Sequence, residues 1–236
     1  IVALVFLMMF YMRSNRDYAI KAFLIMQMSI VGWMVFKIFK TVSPTEVARW
    51  WFIVGYYLCA CIFEVAFLEF TYAYYKGKPI SRKIRVCLYS LPLVQFLFIL
   101  TNPAHHLFYA TYHFRGDSFG PLFYVHSFIE YGFIFVGFYY GYRTFNRRFS
   151  KKKLWYKMLI TAAIVIPFFL NLLYITKKLN PIIRSLGIPI VFDITPIMFV
   201  LSILVFVYAT FKHDLINLSP LMRHEIVHKL DTPICV

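Results

Sequence analysis

Long apolar stretches alternate with short polar segments along the whole chain, a pattern that is typical of a multi-span membrane protein. A helix needs about 20 mostly apolar residues to cross a bilayer. Stretches of about this length cover residues 18–39, 50–75, 84–101, 119–142, 154–176 and 190–211. Residues 1–12 are apolar but too few, so we expect a truncated first helix whose beginning precedes the chain. The pattern predicts an all-α membrane protein, a bundle of seven transmembrane helices, numbered here as spans 1 to 7.

The basic residues orient these spans. With loops that alternate between two sides, one side holds 18 of the 25 Lys and Arg residues and the other side holds 7. Because cytoplasmic loops carry the excess of Lys and Arg, the N-terminus is predicted to lie outside and the C-terminus in the cytoplasm. We assign residues 1–213 to the membrane domain. Residues 214–236 are expected to form a cytoplasmic linker helix leading to a missing output domain.

Composition excludes several other classes of protein. Hydrophobic residues make up 61% of the chain and charged residues 15%, whereas soluble domains are typically about half apolar and a quarter charged. This composition excludes a disordered chain and disfavours an ordinary soluble enzyme. The net charge of +15 is clustered between the spans rather than along one soluble face, so we attribute it to topology and predict no nucleic-acid partner.

Ionisable side chains within the spans are candidates for a functional site, because placing them in a membrane is costly. Glu64 and Glu130 fall near the middles of spans 3 and 5, and no Lys or Arg is predicted at their depth. One or both carboxyl groups are therefore expected to be protonated or held by Tyr and His donors. His126 precedes Glu130 by four residues, which places both side chains on one face of span 5.

Further polar residues lie in the outer halves of the spans, and prolines are expected to interrupt three of the helices. Pro92, Pro167 and Pro196 fall in spans 4, 6 and 7, where freed backbone groups could line a cavity. One interpretation is an outward-facing ligand pocket. Its candidate ligand-binding residues are Glu64, Gln95, His126, Glu130, Asn171, Tyr174 and Asp193. The other interpretation is a set of hydrogen bonds that only hold the bundle together, and both remain open.

Two further patterns have a structural and a functional interpretation each. Gly137 and Gly141 form a GxxxG pattern on span 5, which can seat a partner helix or a neighbouring helix of the same bundle. The four histidines His105, His106, His113 and His126 could suggest a metal site, but they lack a ligand spacing, so we predict no metal site and no cofactor.

The C-terminal segment contains a pattern that suggests a different class of protein. His224-Glu225-Ile226-Val227-His228 matches the H-E-x-x-H signature of zinc hydrolases, although no third ligand is evident. A membrane metallohydrolase is therefore one alternative. An ion-coupled transporter using the intramembrane glutamates is another, but no internal repeat of the kind that many transporters contain is visible.

Four segments resemble the seven-transmembrane N-terminal sensor region of bacterial sensor histidine kinases. They are TNPAHHLFY at 101–109, FGPLFYVHS at 119–127, FDITPI at 192–197 and FKHDLINL at 211–218. The motif positions are Asn102, Pro103, His105, His106, Gly120, Pro121, His126, Asp193 and Pro196. Asn-Pro and Gly-Pro are strong turn formers, so these positions could shape the loop between spans 4 and 5.

The resemblance implies a signal-sensing domain of a two-component system, set in the bacterial plasma membrane as a multi-pass protein. In this family a cytoplasmic PAS domain and a kinase region usually follow. None of those catalytic parts lies in these residues, so no enzymatic activity is expected of this chain. The resemblance implies a homodimer, a small-molecule or lipid-like ligand of unknown identity, and a response regulator reached through the kinase region.

Overall fold

The computed structural model describes residues 18–113, 116–148, 154–176 and 195–213, together with 178, 181 and 185. The helices are α1 (Tyr18–Val42), α2 (Glu46–Lys76), α3 (Arg82–Leu100), α4 (Asn102–His105), α5 (Pro121–Arg148), α6 (Leu154–Ile175) and α7 (Thr195–His213). The antiparallel strands β1 (Tyr109–His113) and β2 (Gly116–Phe119) form a hairpin between α4 and α5. Within the described residues, five helices are long and apolar enough to cross a membrane, namely α1, α2, α3, α5 and α6.

The helices predicted for spans 2 to 6 are confirmed, with ends that differ by a few residues. Span 1 lies outside the described residues, and span 7 corresponds to α7, which is not one of the five. The count of seven and the orientation in the membrane therefore stay predictions. The expectation of an all-α fold is wrong at one place, because the connection between spans 4 and 5 contains the β-hairpin.

Helix α2 begins four residues earlier than predicted because its N-terminus is capped. The Thr45 hydroxyl accepts a hydrogen bond from the Ala48 N–H at 3.2 Å, and the acidic Glu46 occupies the first turn. The helix ends at Gly77, whose φ of 70° is a left-handed conformation that glycine adopts without strain. Its N–H donates to the Ala73 carbonyl at 2.8 Å.

Glycines allow neighbouring helices to approach closely. A Cβ atom on Gly137 of α5 would lie 2.4 Å from the Phe67 ring of α2. A Cβ on Gly55 of α2 would lie 2.7 Å from the Phe36 ring of α1. The GxxxG pattern of α5 therefore serves helix packing within the bundle, the second of its two interpretations.

The prediction that prolines interrupt the helices is wrong. Helices α3 and α6 run through Pro92 and Pro167, and Pro196 falls in the first turn of α7, where an N–H needs no helical partner. Pro167 cannot donate to the carbonyl of Ala163 four residues earlier. The Ser202 hydroxyl of α7 donates to that carbonyl instead, at 2.5 Å.

The chain divides into two compact units, Ile1–Ser150 and Lys151–Val236. Helices α1 to α5 and the hairpin belong to the first unit. Helices α6 and α7 pack against each other in the second unit. Most of the candidate site residues predicted from the sequence lie in the first unit, whose core is built around α2.

Candidate functional site

Three helices of the first unit contribute polar side chains to one buried region. On α2, Tyr57, Cys61 and Glu64 follow one another at spacings of four and three residues, so they share one face. All three side chains are buried. Helix α5 contributes His126 and Glu130 at a spacing of four residues, and α3 contributes Gln95.

His126 connects α3 with α5 and faces Glu130. Its Nδ1 is hydrogen-bonded to the Oε1 atom of Gln95. In this orientation of the Gln95 amide, Nδ1 is the donor, because an amide oxygen only accepts hydrogen bonds. The other ring nitrogen, Nε2, lies 3.8 Å from a carboxylate oxygen of Glu130. Both His126 and Gln95 are buried.

Glu64 is the most isolated polar group of this region. Its side chain is 0% exposed, and neither carboxylate oxygen has a hydrogen-bond partner among the described residues. It lies within electrostatic range of Glu130. We refer to Glu64, Gln95, His126 and Glu130 as the mid-helix cluster.

The first strand of the hairpin lies against the mid-helix cluster. The Tyr109 hydroxyl contacts the hydroxyl groups of Tyr56 and Tyr57 at 2.5 and 3.1 Å. The Tyr57 ring meets the His126 ring edge to face at a centroid distance of 5.4 Å. Phe108 packs on the same imidazole, also at 5.4 Å. The hairpin and the cluster are therefore joined by a continuous layer of packed aromatic rings.

The motif residues around the hairpin hold its backbone in position. The side-chain oxygen of Asn102 accepts hydrogen bonds from the N–H groups of Phe108 and Tyr109 at 2.8 and 2.9 Å. Its amide nitrogen donates to the Tyr109 carbonyl at 3.1 Å. A Cβ atom at Gly120 would lie 2.1 Å from the Leu107 carbonyl oxygen, so only glycine fits there. These contacts support the turn-forming role predicted for the Asn-Pro and Gly-Pro pairs.

The adjacent motif residues His105 and His106 also have structural positions. His105 accepts a hydrogen bond from the Leu107 N–H at Nδ1, at 2.9 Å, and its Nε2 donates to the Phe98 carbonyl at 3.2 Å. His106 has a left-handed φ of 54°. Pro103 lies in the first turn of α4, and Pro121 begins α5. Both histidines therefore belong to the turn that carries the chain from α3 into the hairpin.

An ion network that the sequence did not reveal holds the second strand. The Asp117 carboxylate contacts Lys40 at the end of α1, and its other oxygen lies 3.0 Å from the Arg49 guanidinium of α2. Arg49 also donates to the backbone carbonyls of Tyr112 and Lys40, each at 3.2 Å. We refer to Lys40, Arg49 and Asp117 as the hairpin triad. It ties the hairpin to the ends of two helices.

Comparison with known proteins gives one match that covers nearly the whole chain. A family model described as the N-terminal 7TM region of histidine kinase matches residues 1–220. The chain belongs to this family. It is therefore a multi-pass membrane protein of the sensor histidine kinase class. No curated protein and no solved structure matches it significantly. Neither the metallohydrolase nor the transporter alternative gains support from the family.

A second ion network lies toward the other end of α2 in this 7TM region. Arg85 of α3 lies 2.9 Å from the Glu69 carboxylate, and the Tyr89 hydroxyl donates to the same carboxylate at 3.0 Å. The Arg85 guanidinium lies 4.6 Å from the centroid of the Tyr18 ring of α1. Three helices of the 7TM region are thereby joined around one buried carboxylate.

Two further predicted ligand-binding residues lie in the second unit, and a third lies outside the described residues. Asn171 and Tyr174 lie on α6 in the second unit, and both are half-buried. Asp193 and the C-terminal residues His224, Glu225 and His228 lie outside the described residues. In the part of the chain that the structure describes, no three His, Cys, Asp or Glu side chains are grouped closely enough to hold a metal ion.

Proposed function

We propose that the chain is the signal-receiving domain of a bacterial two-component sensor histidine kinase and that the mid-helix cluster is its stimulus-responsive centre. Family membership supports the sensor role. The observation that carries the second part is the buried contact of His126 with Gln95 and Glu130. Beside them lies Glu64, whose oxygens have no hydrogen-bond partner among the described residues.

The alternative, hydrogen bonding that only holds the bundle together, fits the cluster poorly. A network selected for stability satisfies the polar groups that it buries. Each buried polar group without a partner costs about 1–3 kcal/mol, and Glu64 has two such oxygens. We infer that this cost is retained because the site serves binding or switching.

The hairpin is the proposed route by which an outer stimulus reaches the cluster. Tyr109 touches Tyr57, which packs on His126, so a displacement of the hairpin changes the surroundings of the cluster directly. A ligand that binds one arrangement of these helices more tightly shifts the population toward it. We propose that the change leaves through the last helix and its linker to a PAS and kinase region, in a homodimer that phosphorylates a response regulator.

This proposal includes the predicted orientation. With the N-terminus outside, the hairpin faces the exterior of the bacterial plasma membrane and the Glu69–Arg85 network faces the cytoplasm. The ligand is then a small molecule or a lipid-like compound that reaches the cluster from the outer side or from the bilayer.

The test is the autophosphorylation rate of the full-length parent protein in proteoliposomes. His126→Ala and Glu130→Gln are expected to change this rate at least about fivefold, in either direction, which corresponds to about 1 kcal/mol of switching free energy. Glu46→Gln is the matched control, because Glu46 is an exposed carboxylate on the same helix as Glu64. Rates equal to that of the parent in both cluster variants would rule out the cluster as the responsive centre.

A further inference from the structure

We propose that the mid-helix cluster binds an organic ammonium group, the protonated amine of a small ligand. This inference rests on the proposed function and adds the chemical class of the ligand. It follows from the balance of donors and acceptors in the cluster, from its charge, and from the groups that surround it.

The cluster presents more acceptors than donors. With the Gln95 amide oxygen facing Nδ1 of His126, Nδ1 is the donor and a neutral imidazole offers a lone pair at Nε2. That lone pair faces a Glu130 oxygen 3.8 Å away, so two acceptors oppose each other when Glu130 is ionised. In the described part of the chain, Glu64 adds two oxygens without a hydrogen-bond partner, against a single such amide nitrogen on Gln95. A group that brings several N–H donors would satisfy these atoms, and an ammonium group has up to three.

The charge of the cluster also favours a cationic ligand. Among the described residues, Lys and Arg form ion pairs with Asp117 and with Glu69, not with the cluster. Glu64 and Glu130 have no Lys or Arg within ion-pair distance among the described residues. Two buried carboxylates in electrostatic range of each other are stable as anions only when a positive charge joins them. Without one they keep their protons, as expected from the sequence, and a cationic ligand would supply the charge that lets them ionise.

The surroundings favour an organic ammonium group over a metal ion. The described residues contain no group of three side chains arranged to hold a metal. Aromatic rings, in contrast, line the side of the cluster under the hairpin, where Tyr57 and Phe108 pack on His126. Aromatic faces attract organic cations. The Glu130 side chain is 21% exposed, whereas Glu64 is 0% exposed, so the amine enters beside Glu130.

The test compares two probes of the same shape and opposite charge. The whole chain in phosphatidylcholine nanodiscs is titrated with n-butylammonium chloride, and separately with sodium butyrate, while the midpoint of thermal unfolding is recorded. We expect a saturable rise of the midpoint with n-butylammonium only. Equal rises with both probes, no saturable rise, or a rise that sodium chloride reproduces at equal ionic strength would each overturn the proposal.

Substitutions in the mid-helix cluster test whether n-butylammonium binds there. Glu130→Gln and Glu64→Gln are expected to weaken n-butylammonium binding at least about tenfold, whereas Glu46→Gln leaves it unchanged. If a glutamine variant does not fold, Glu130→Asp replaces it, and the comparison of the two probes on the unchanged chain still decides. Unaltered binding in folded cluster variants would place the ammonium elsewhere and overturn the proposal.

The two proposals can fail separately. If His126→Ala and Glu130→Gln change kinase output but n-butylammonium does not bind, the cluster is responsive and the ligand class is wrong. If n-butylammonium binds at the cluster but both variants leave kinase output unchanged, the binding site stands and its role in signalling fails.

Discussion

Two polar regions of the first unit, the hairpin triad and the mid-helix cluster, differ in how their buried carboxylates are paired. In the hairpin triad, one carboxylate contacts two cations, and Arg49 directs further N–H groups to two backbone carbonyls. In the mid-helix cluster, Glu64 is more deeply buried than any member of the triad, and its oxygens contact no donor among the described residues.

This difference is what the proposed function predicts for a structural network and a ligand-responsive one. The triad joins the hairpin to the ends of α1 and α2, so its charges stabilise the fold and need partners in the resting molecule. The cluster joins α3 and α5 through one histidine and leaves acceptors unused. Under the proposed function, acceptors that lack a partner among the described residues are retained for ligand binding, at a cost in stability.

The largest expected effect is the loss of the triad's carboxylate. Asp117→Asn leaves Lys40 and Arg49 side by side, mostly buried, without a negative charge, and this should lower the free energy of unfolding by about 3 kcal/mol. Reversible denaturation in mixed lipid–detergent micelles measures this change in the free energy of unfolding. Glu46→Gln, in the first turn of α2 near Arg49, is the control. If Asp117→Asn lowered the free energy of unfolding by less than about 1 kcal/mol, the triad would not be the strongly stabilising network that distinguishes it from the cluster.

An intermediate effect of opposite sign is expected in the cluster. Glu64→Met replaces two unpartnered oxygens with an apolar side chain of similar length. The free energy of unfolding should rise by about 1 kcal/mol, because burying a polar group without a partner is unfavourable. The same micelle assay tests this, and autophosphorylation of the full-length parent should change in the same variant. A clear destabilisation would show that Glu64 makes contacts that hold the bundle together.

The smallest effect belongs to an exposed pair beside the triad. His113 and Glu46 lie 2.7 Å apart, but their side chains are 60% and 52% exposed. His113→Ala should change the free energy of unfolding by no more than about 0.5 kcal/mol, because water and salt screen such pairs. If His113→Ala lowered the free energy of unfolding nearly as much as Asp117→Asn, proximity to the hairpin rather than burial would determine how much an ion pair stabilises the fold.

Parts of the candidate site could be predicted from sequence spacing alone. The four-residue separation of His126 and Glu130 placed both on one helix face, and the structure brings them within 3.8 Å. Gln95 was a candidate because of its depth in a span, but its bond to His126 joins residues 31 positions apart. No local pattern encodes such a pairing, since it depends on how α3 and α5 pack.

The β-hairpin is a part of the fold that the sequence pattern does not predict. Its strands are short and mixed in polarity, so no alternating pattern separated them from a loop. Asn102 was identified as a turn former, but its three hydrogen bonds to Phe108 and Tyr109 required the folded loop. The proline prediction failed for a related reason, since Ser202 from another helix satisfies the carbonyl that Pro167 leaves free.

The sequence by itself determined the membrane class, the positions of most helices and the helix faces that carry polar residues. These properties are local, because apolar length, charge between spans and a period of 3.6 residues are written along the chain. Only the tertiary structure decided that Asp117 joins Lys40 and Arg49, 77 and 68 residues away, and that Glu64 has no such partner among the described residues. Pairing of buried charges depends on which helices meet, and that choice is made by packing across the whole unit.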